Sequence, residues 1–212
     1  MHTHFYRSLL KYLLPIFLLC FSLVTSQSLP GASETARAAA CPPEGCKIYL
    51  PLSLRYIDQV SNGDFESGPT AWEEYSFLNY LIILKAPGEL QKPPHSGAWA
   101  AWLGGDDGET ASIDQNIYVS SARPILHYWQ WVVSDDPDCS KDEAAVLIDS
   151  LALSHFNLCE SANTLNWEMR TINLSAYIGR LVNLKFLVTT DAVGGTTISS
   201  LYLDDISLQG SP

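Results

Sequence analysis

Short runs in which apolar and polar residues alternate restrict what this chain can fold into more than any other feature of its sequence. The side chains that recur at every second position are Ile113, Gln115, Ile117 and Val119; Val182, Leu184, Phe186 and Val188; and Trp167, Met169, Thr171 and Asn173. Because side chains alternate between the two faces of a β-strand, this period indicates strands that are buried on one face. Turn-forming clusters such as SNGDFESGPT and GGDDGE separate the runs.

Further runs are rich in strand-forming residues, and no segment has a convincing helical stripe. These runs are Trp72–Phe77, Trp99–Leu103, Ile125–Val133, Ala144–Ser150 and Leu151–Phe156. Many short strands separated by turn signals are typical of antiparallel sandwiches. The sequence therefore predicts an all-β protein, a two-sheet antiparallel jelly-roll β-sandwich that spans residues 57–212. A domain of this length can bury a sizeable core.

The N-terminal residues have the order of a secretory signal peptide. Arg7 and Lys11 precede an apolar run, and small polar residues follow it. The run is shorter than the ~20 residues of a membrane-spanning helix, and an uncleaved anchor is the alternative. We predict that residues 1–26 are removed and that the protein is secreted without membrane insertion. The small and Pro-rich residues 27–56 are predicted to form a linker.

The charge of the chain restricts its partners. Its 23 acidic residues outnumber its 12 basic ones and give a formal net charge of −11. A chain this acidic repels nucleic acid and anionic lipid, so neither is an expected partner. In a secreted protein, the acidic excess fits cation binding or simple solubility.

Four cysteines lie beyond the predicted signal peptide: Cys41, Cys46, Cys139 and Cys159. An even number in an oxidising compartment favours two disulfides. We predict the local pairs Cys41–Cys46, a short knot in the linker, and Cys139–Cys159. A zinc site is the alternative, but the chain has no Cys-x-x-Cys spacing.

Local signatures of catalysis are missing from the sequence. The chain has no His-Glu-x-x-His, no Gly-x-Ser-x-Gly and no phosphate-binding glycine loop. A glycoside hydrolase needs only two carboxylates, so that class stays open as a less favoured alternative. We predict that the protein is not an enzyme.

Two predicted strands carry acidic residues, which strands seldom tolerate. In SSLYLDDISL, alternation places Asp204 and Asp205 on opposite faces. In NGDFESG, which is predicted to be the first strand, Asp64 and Glu66 share a face. A buried carboxylate needs a cation, a basic side chain or several N–H groups as its partner.

The first and last strands of closed sandwiches are often neighbours, which would bring Glu66 close to Asp205. Two adjacent carboxylates repel each other unless a cation lies between them. Calcium suits such carboxylates together with carbonyl oxygens, for which the turn HSGAW is a natural donor. The alternative is that these acids cap turns or pair with Lys185 or Arg180.

The motifs NGDFESG, HSGAWAAWLGG, INLSAYIGRLVNLKF and LYLDDISL follow one another in an order that resembles two groups of extracellular domains. One is the galactose-binding-like β-sandwich of carbohydrate-binding modules, and the other is the MAM domain of adhesive proteins. The resemblance covers about residues 60–208 and implies a structural calcium ion. The ligands that it implies are Glu66, backbone carbonyls near Ser96 and Gly97, and Asp205, with Asp64 or Asp204 assisting.

The predicted strand ILHYWQWVV places His127, Trp129 and Trp131 on one face. Aromatic rings on an exposed sheet face can stack on the apolar faces of sugar rings. These three residues are therefore candidates for a glycan-binding surface. The alternative is that such large aromatic side chains belong to the core.

Five acidic residues crowd around Cys139 in the segment SDDPDCSKDEAA. The segment could hold a second cation, but a solvated acidic loop tethered by a disulfide is favoured.

Together these features predict a noncatalytic binding module with a structural calcium ion, whose ligand is a glycan. The alternative is a protein–protein adhesion or cell-surface module with the same fold, because fold does not fix function.

Overall fold

A computed structural model describes residues 60–192 and 197–211 of the chain. The predictions for the N-terminal part of the chain lie outside the described residues; they are the signal peptide, the linker and the Cys41–Cys46 disulfide. Within the residues that are described, no helix is long and apolar enough to cross a membrane.

Ten strands form two antiparallel five-stranded sheets. The strands are β1 (Glu73–Ser76), β2 (Ile83–Lys85), β3 (Trp99–Gly104), β4 (Thr110–Tyr118), β5 (Ile125–Ser134), β6 (Glu143–Ile148), β7 (Leu151–Asn157), β8 (Glu168–Asn173), β9 (Leu181–Thr189) and β10 (Ser199–Gln209). Sheet A has the order β1-β4-β9-β6-β7, and sheet B has the order β2-β3-β10-β5-β8. The described residues also contain two 3₁₀ turns, Glu160–Ala162 and Ser175–Tyr177, and no α-helix. The predicted all-β, two-sheet antiparallel architecture is confirmed.

The two sheets enclose one apolar core, and strand β5 illustrates how alternation builds it. Every second side chain of β5 is buried, starting at Leu126. Leu126, Tyr128 and Val132 belong to the core, so the side chains between them lie on the outer face of sheet B. Further fully buried core side chains are Phe65, Leu103, Ile113, Val119, Ile148, Leu158, Leu174, Leu184, Phe186, Val188 and Leu203.

The prediction of a strand at residues 62–68 is wrong, because these residues form consecutive turns. The N–H groups of Phe65 and Gly68 donate to the carbonyls of Asn62 and Phe65 at 3.2 and 2.8 Å. The Asn62 side chain holds the loop closed, since its amide group donates to the carbonyls of Gly68 and Thr70. Asn62 has a φ of 50°, a conformation that asparagine tolerates better than most residues.

This loop, rather than the first strand, approaches the last strand. Strand β1 lies in sheet A and β10 in the middle of sheet B, so the expectation that the first and last strands are neighbours is also wrong. The N–H of Ile206 in β10 donates to the carbonyl of Gly63 at 2.8 Å. A Cβ at Gly63 would overlap the Ile206 carbonyl, so only glycine allows this approach. Asp64 and Glu66 lie on this loop and do not share a strand face.

Strand β10 contains a β-bulge at its two aspartates. Its register against β5 shifts between Asp204 and Ser207, and Asp205 has a φ of 47°. A bulge inserts one residue and reverses the alternation beyond it. Leu203 before the bulge and Ile206 after it therefore both point into the core, although strict alternation had placed them on opposite faces.

Candidate functional site

The outer face of sheet B carries the aromatic residues predicted to bind a ligand. His127, Trp129 and Trp131 are partly buried and alternate with the core residues of β5. Asp204 of β10 pairs in register with Trp129, so its carboxylate belongs to the same face. Asp204 leaves the core because Leu203 before it points inward, and the bulge turns Asp205 outward as well. Both acidic residues therefore meet the segment 91–98, which runs over this face.

Aromatic contacts hold the segment 91–98 against sheet B. The ring of His95 stacks on Trp129, with centroids 3.9 Å apart and an angle of 18° between the planes. The indole N–H of Trp167 donates to the carbonyl of Pro93 at 3.0 Å. Trp167 also packs edge-to-face against Trp131 at 6.0 Å. Sequence reasoning missed His95 and Trp167, because only the fold brings them to β5.

Asp204 anchors this segment through its backbone. Its side chain is 0% exposed, and Oδ2 accepts the N–H groups of His95 and Ser96 at 2.9 and 3.0 Å. Its Oδ1 accepts the N–H of Asp205 at 2.7 Å. Burial raises the pKa of Asp204 to about 7, and the nearby charge of Asp205 adds to the rise, while the N–H donors oppose it.

Asp205 contacts the same segment through side chains. Its Oδ2 lies 2.5 Å from Nδ1 of His95, and its Oδ1 accepts the Ser96 hydroxyl at 2.9 Å. The basic residues that the sequence offered as alternative partners lie elsewhere. Lys185 pairs with Asp114 at 3.3 Å, and Arg180 pairs with the side chain of Asp149.

Glu66 reaches the following turn from the opposite direction. Its Oε1 accepts the N–H groups of Ala98 and Trp99 at 2.7 and 2.9 Å. A Cβ at Gly97 would overlap the Glu66 carboxylate, so glycine is needed there. Glu66 and Asp205 thus both contact the HSGAW turn, at different residues of it. Asp64 is exposed, and its Oδ1 accepts the Glu66 N–H at 3.4 Å.

A recess of about 470 Å³ opens beside Trp129. Residues that line it include Asp64, His127, Trp129, Met169, Asp205 and Gln209. It combines an indole ring with carboxylate, imidazole and amide groups. Trp131, the third predicted aromatic residue, does not line this recess and has Lys92 over its ring at 5.3 Å.

A second acidic group lies in a different part of the sandwich. Asp136, Asp142 and Asp191 each bring one carboxylate oxygen within 4.8 Å of the others, an arrangement that can hold a metal ion. Asp136 and Asp142 are only 1% and 3% exposed. The favoured interpretation of this segment as a solvated acidic loop is therefore wrong for these two residues. The predicted Cys139–Cys159 disulfide is present beside them.

Comparisons with known proteins identify the fold. No family model matches the chain, and no curated protein matches its sequence. One similar solved structure is that of carbohydrate-binding module CBM61 in complex with β-1,4-galactotriose; it is 14% identical, with a TM-score of 0.52 over 72% of this chain and 97% of the module. Another is the K3 cleaved adhesin domain of Lys-gingipain from Porphyromonas gingivalis W83, which is 16% identical, with a TM-score of 0.51 over 72% of this chain and 99% of the domain.

Both of these domains are β-sandwich jelly rolls, and identities this low establish the fold alone. The chain thus has the jelly-roll β-sandwich fold that its sequence predicted.

Proposed function

We propose that this protein is an exported, noncatalytic binding module whose ligand is a glycan. The observation that carries the proposal is the recess beside Trp129, in which an indole ring stands among polar groups. A sugar needs both kinds of contact, because its C–H face stacks on an aromatic ring and its hydroxyls need hydrogen-bond partners. His127, Asp64 and Asp205 are the nearby polar side chains that line the recess.

The proposal divides the aromatic set into two roles. Trp129 offers its ring to the recess, although His95 stacks on one of its faces. Trp131 contacts Lys92 and Trp167 instead, so we assign it to the outer rim of the surface. The similarity to a module solved with galactotriose supports galactosides as the first ligands to test.

The test is a glycan array that includes β-1,4-linked galacto-oligosaccharides, probed with the purified protein. Trp129→Ala should weaken binding about tenfold or more, because a stacking contact is lost. His127→Ala should weaken it about fivefold through a lost hydrogen bond. His155→Ala is the matched control, since His155 is exposed on strand β7 of the other sheet and pairs with Glu143. Absence of glycan binding, or equal binding by all three variants, would contradict the proposal.

We also propose that a structural calcium ion ties Glu66 to Asp205. Both residues contact the turn around Ser96 and Gly97, whose carbonyls would complete an all-oxygen site. Gly97 allows Glu66 to approach this turn, because a Cβ there would overlap the Glu66 carboxylate. Asp64 and Asp204 are the assisting acids of the predicted set.

Calorimetric melting in millimolar calcium and in excess chelator tests the ion. A metal that binds only the folded state stabilises it by about 2.7 kcal/mol at a hundredfold excess over its dissociation constant. Glu66→Gln and Asp205→Asn should each reduce this response. Glu73→Gln is the control, because Glu73 is an exposed acid of strand β1. Equal responses in all three variants would exclude this site.

A second candidate function is protein–protein adhesion, and an exposed apolar patch favours it. Phe77, Tyr80 and Leu81 are 63%, 50% and 73% exposed, and they follow strand β1 within a few residues of one another. Contiguous exposed apolar patches often mark contact surfaces, so these three side chains are the first candidates for one. If the array is negative, replacing Phe77 and Leu81 by serine should abolish binding to a protein partner, whereas Trp129→Ala should not.

A further inference from the structure

The three aspartates Asp136, Asp142 and Asp191 come from connections of both sheets. Asp136 follows β5 of sheet B, whereas Asp142 precedes β6 and Asp191 follows β9, both of sheet A. One carboxylate oxygen from each lies within 4.8 Å of the others. An ion held here would therefore tie the two sheets together.

The Asp136 side chain is 1% exposed and has one oxygen without a partner. Its Oδ1 accepts the N–H of Asp138 at 2.8 Å, which leaves Oδ2. This Oδ2 is buried and has no hydrogen-bond partner in residues 60–192 and 197–211. An unpaired, buried carboxylate oxygen raises the free energy of the folded state, and two neighbouring carboxylates raise it further. A positive charge in the group would offset this cost.

Lys141 only partly neutralises the charge of the three carboxylates. Its Nζ lies 4.0 Å from Asp136 Oδ2, which is too long for a hydrogen bond, and its side chain is 38% exposed. One ammonium group would also offset only one of the three carboxylates. A divalent cation together with Lys141 would offset all of them.

The backbone around the group is already fixed. The N–H of Asp191 donates to Asp142 Oδ1 at 2.8 Å. The carbonyls of Asp136 and Asp142 accept the N–H groups of Glu160 and Leu158 at 2.7 and 2.8 Å. The chain itself thus holds the Asp142 carboxylate and the backbones of Asp136 and Asp142 in place.

From this geometry we infer that Asp136, Asp142 and Asp191 form a calcium site that joins the two sheets. Carboxylate oxygens select hard cations. Oxygens on opposite sides of a calcium ion lie up to about 5 Å apart, so carboxylate oxygens within 4.8 Å of one another can share one ion. Water molecules would complete the six to eight ligands that calcium takes. The site is independent of the proposed ion at Glu66 and Asp205.

The test is calorimetric titration of calcium into chelator-treated protein that carries Glu66→Gln and Asp205→Asn, so that only this site is counted. We expect one ion per chain, with a dissociation constant on the order of 1 mM or lower. Adding Asp136→Asn and Asp142→Asn should weaken binding at least a hundredfold. Adding Asp135→Asn and Glu160→Gln instead is the matched control, because it removes the same charge from exposed neighbours and should leave binding unchanged.

Equal binding by the two sets of variants, or no binding by either, would overturn the inference. If the Asp136 and Asp142 variants fail to fold, the crystal structure of the wild-type protein with calcium provides the test. Its crystals grown in 5–10 mM calcium (about the upper range for extracellular modules) should have an anomalous peak between the three carboxylates. Water in place of that peak would overturn the inference equally.

Discussion

The two acidic regions of this sandwich differ in where their partners come from. At the bulge of β10, all four carboxylate oxygens of Asp204 and Asp205 contact donors from the chain, through two backbone N–H groups, a hydroxyl, an imidazole and the N–H of Asp205 itself. In the group of Asp136, Asp142 and Asp191, the Oδ2 of Asp136 has no such donor among the described residues.

The difference indicates what each region needs in order to be stable. A turn of small residues can direct several N–H groups at one carboxylate, as the turn at Ser96 does for Asp204. In the group of three aspartates, N–H groups reach Asp136 Oδ1 and Asp142 Oδ1 but not Asp136 Oδ2, so we expect a cation to offset the remaining charge. The bulge should therefore stay folded when the calcium ion proposed at Glu66 and Asp205 is removed, although with a lower melting temperature, whereas the second group should depend on its ion.

The largest effect is expected from Gly63→Ala, a change in the loop that packs against the bulge of β10. The new Cβ would overlap the backbone carbonyl of Ile206, so we expect a loss of at least about 4 kcal/mol or no folding. Gly179→Ala is the control, because its Cβ meets open space and only the φ of 81° costs about 1–2 kcal/mol. Denaturant unfolding measures the stability of both variants. Similar losses of stability would mean that the loop at Gly63 can move away from β10 to make room for the new Cβ.

Removal of the Cys139–Cys159 disulfide should have the next largest effect and should act on the second group alone. The bond spans 20 residues, and its loss from the double serine variant should cost about 3 kcal/mol. Hydrogen exchange should become faster at Asp136 and Asp142 but stay unchanged at Ser96. Faster exchange in both regions would indicate that they unfold together.

Asp204→Asn should destabilise the bulge by about 2–3 kcal/mol. The amide keeps one acceptor oxygen, but its NH₂ group would face the N–H donors of His95 and Ser96. Urea unfolding at pH 8 in chelator measures the loss. A loss below about 0.5 kcal/mol would mean that these hydrogen bonds contribute little net stability.

Asp136→Asn should have the smallest effect in chelator and the opposite sign. It removes one of three mutually repelling charges and keeps an oxygen that can accept the N–H of Asp138. We expect an unchanged or slightly higher stability, by less than about 1 kcal/mol. The same unfolding experiment in millimolar calcium should reverse the order of variant and wild type. A large loss in chelator would mean that the Asp136 charge is already balanced.

Alternation predicted the strands in which one face is buried throughout. It identified the inward residues of β9 and the shared face of His127, Trp129 and Trp131, because burial at every second residue is visible in the sequence of such strands. It did not decide whether that face of β5 was core or surface. It failed at Asp205, since a bulge inserts a residue without changing local composition. The positive φ of Asp205 and Asn62 was likewise not apparent from the pattern.

The candidate sites were predictable in unequal measure. That Glu66 and Asp205 contact the same turn agrees with the motif order, although the strand pairing assumed for it was wrong and the calcium site itself stays a prediction. The grouping of Asp136 with Asp191 had no signal, because the two residues are far apart in sequence and meet only through the pairing of β6 with β9. Acid-rich composition alone did not distinguish their burial from that of an exposed loop.

The central position of β10 has a consequence for how the chain folds. Its neighbours in sheet B are β3 and β5, and its bulge bonds to His95 across 109 and 110 residues of sequence. Contacts of such long sequence separation form slowly, because much of the chain must lose conformational entropy before these contacts can stabilise it. Sheet B cannot close until residue 209 has been synthesised. Until then the edges of β3 and β5 that will pair with β10 stay unpaired and accessible to other chains. The chain should therefore be most prone to aggregate before β10 has been synthesised and paired.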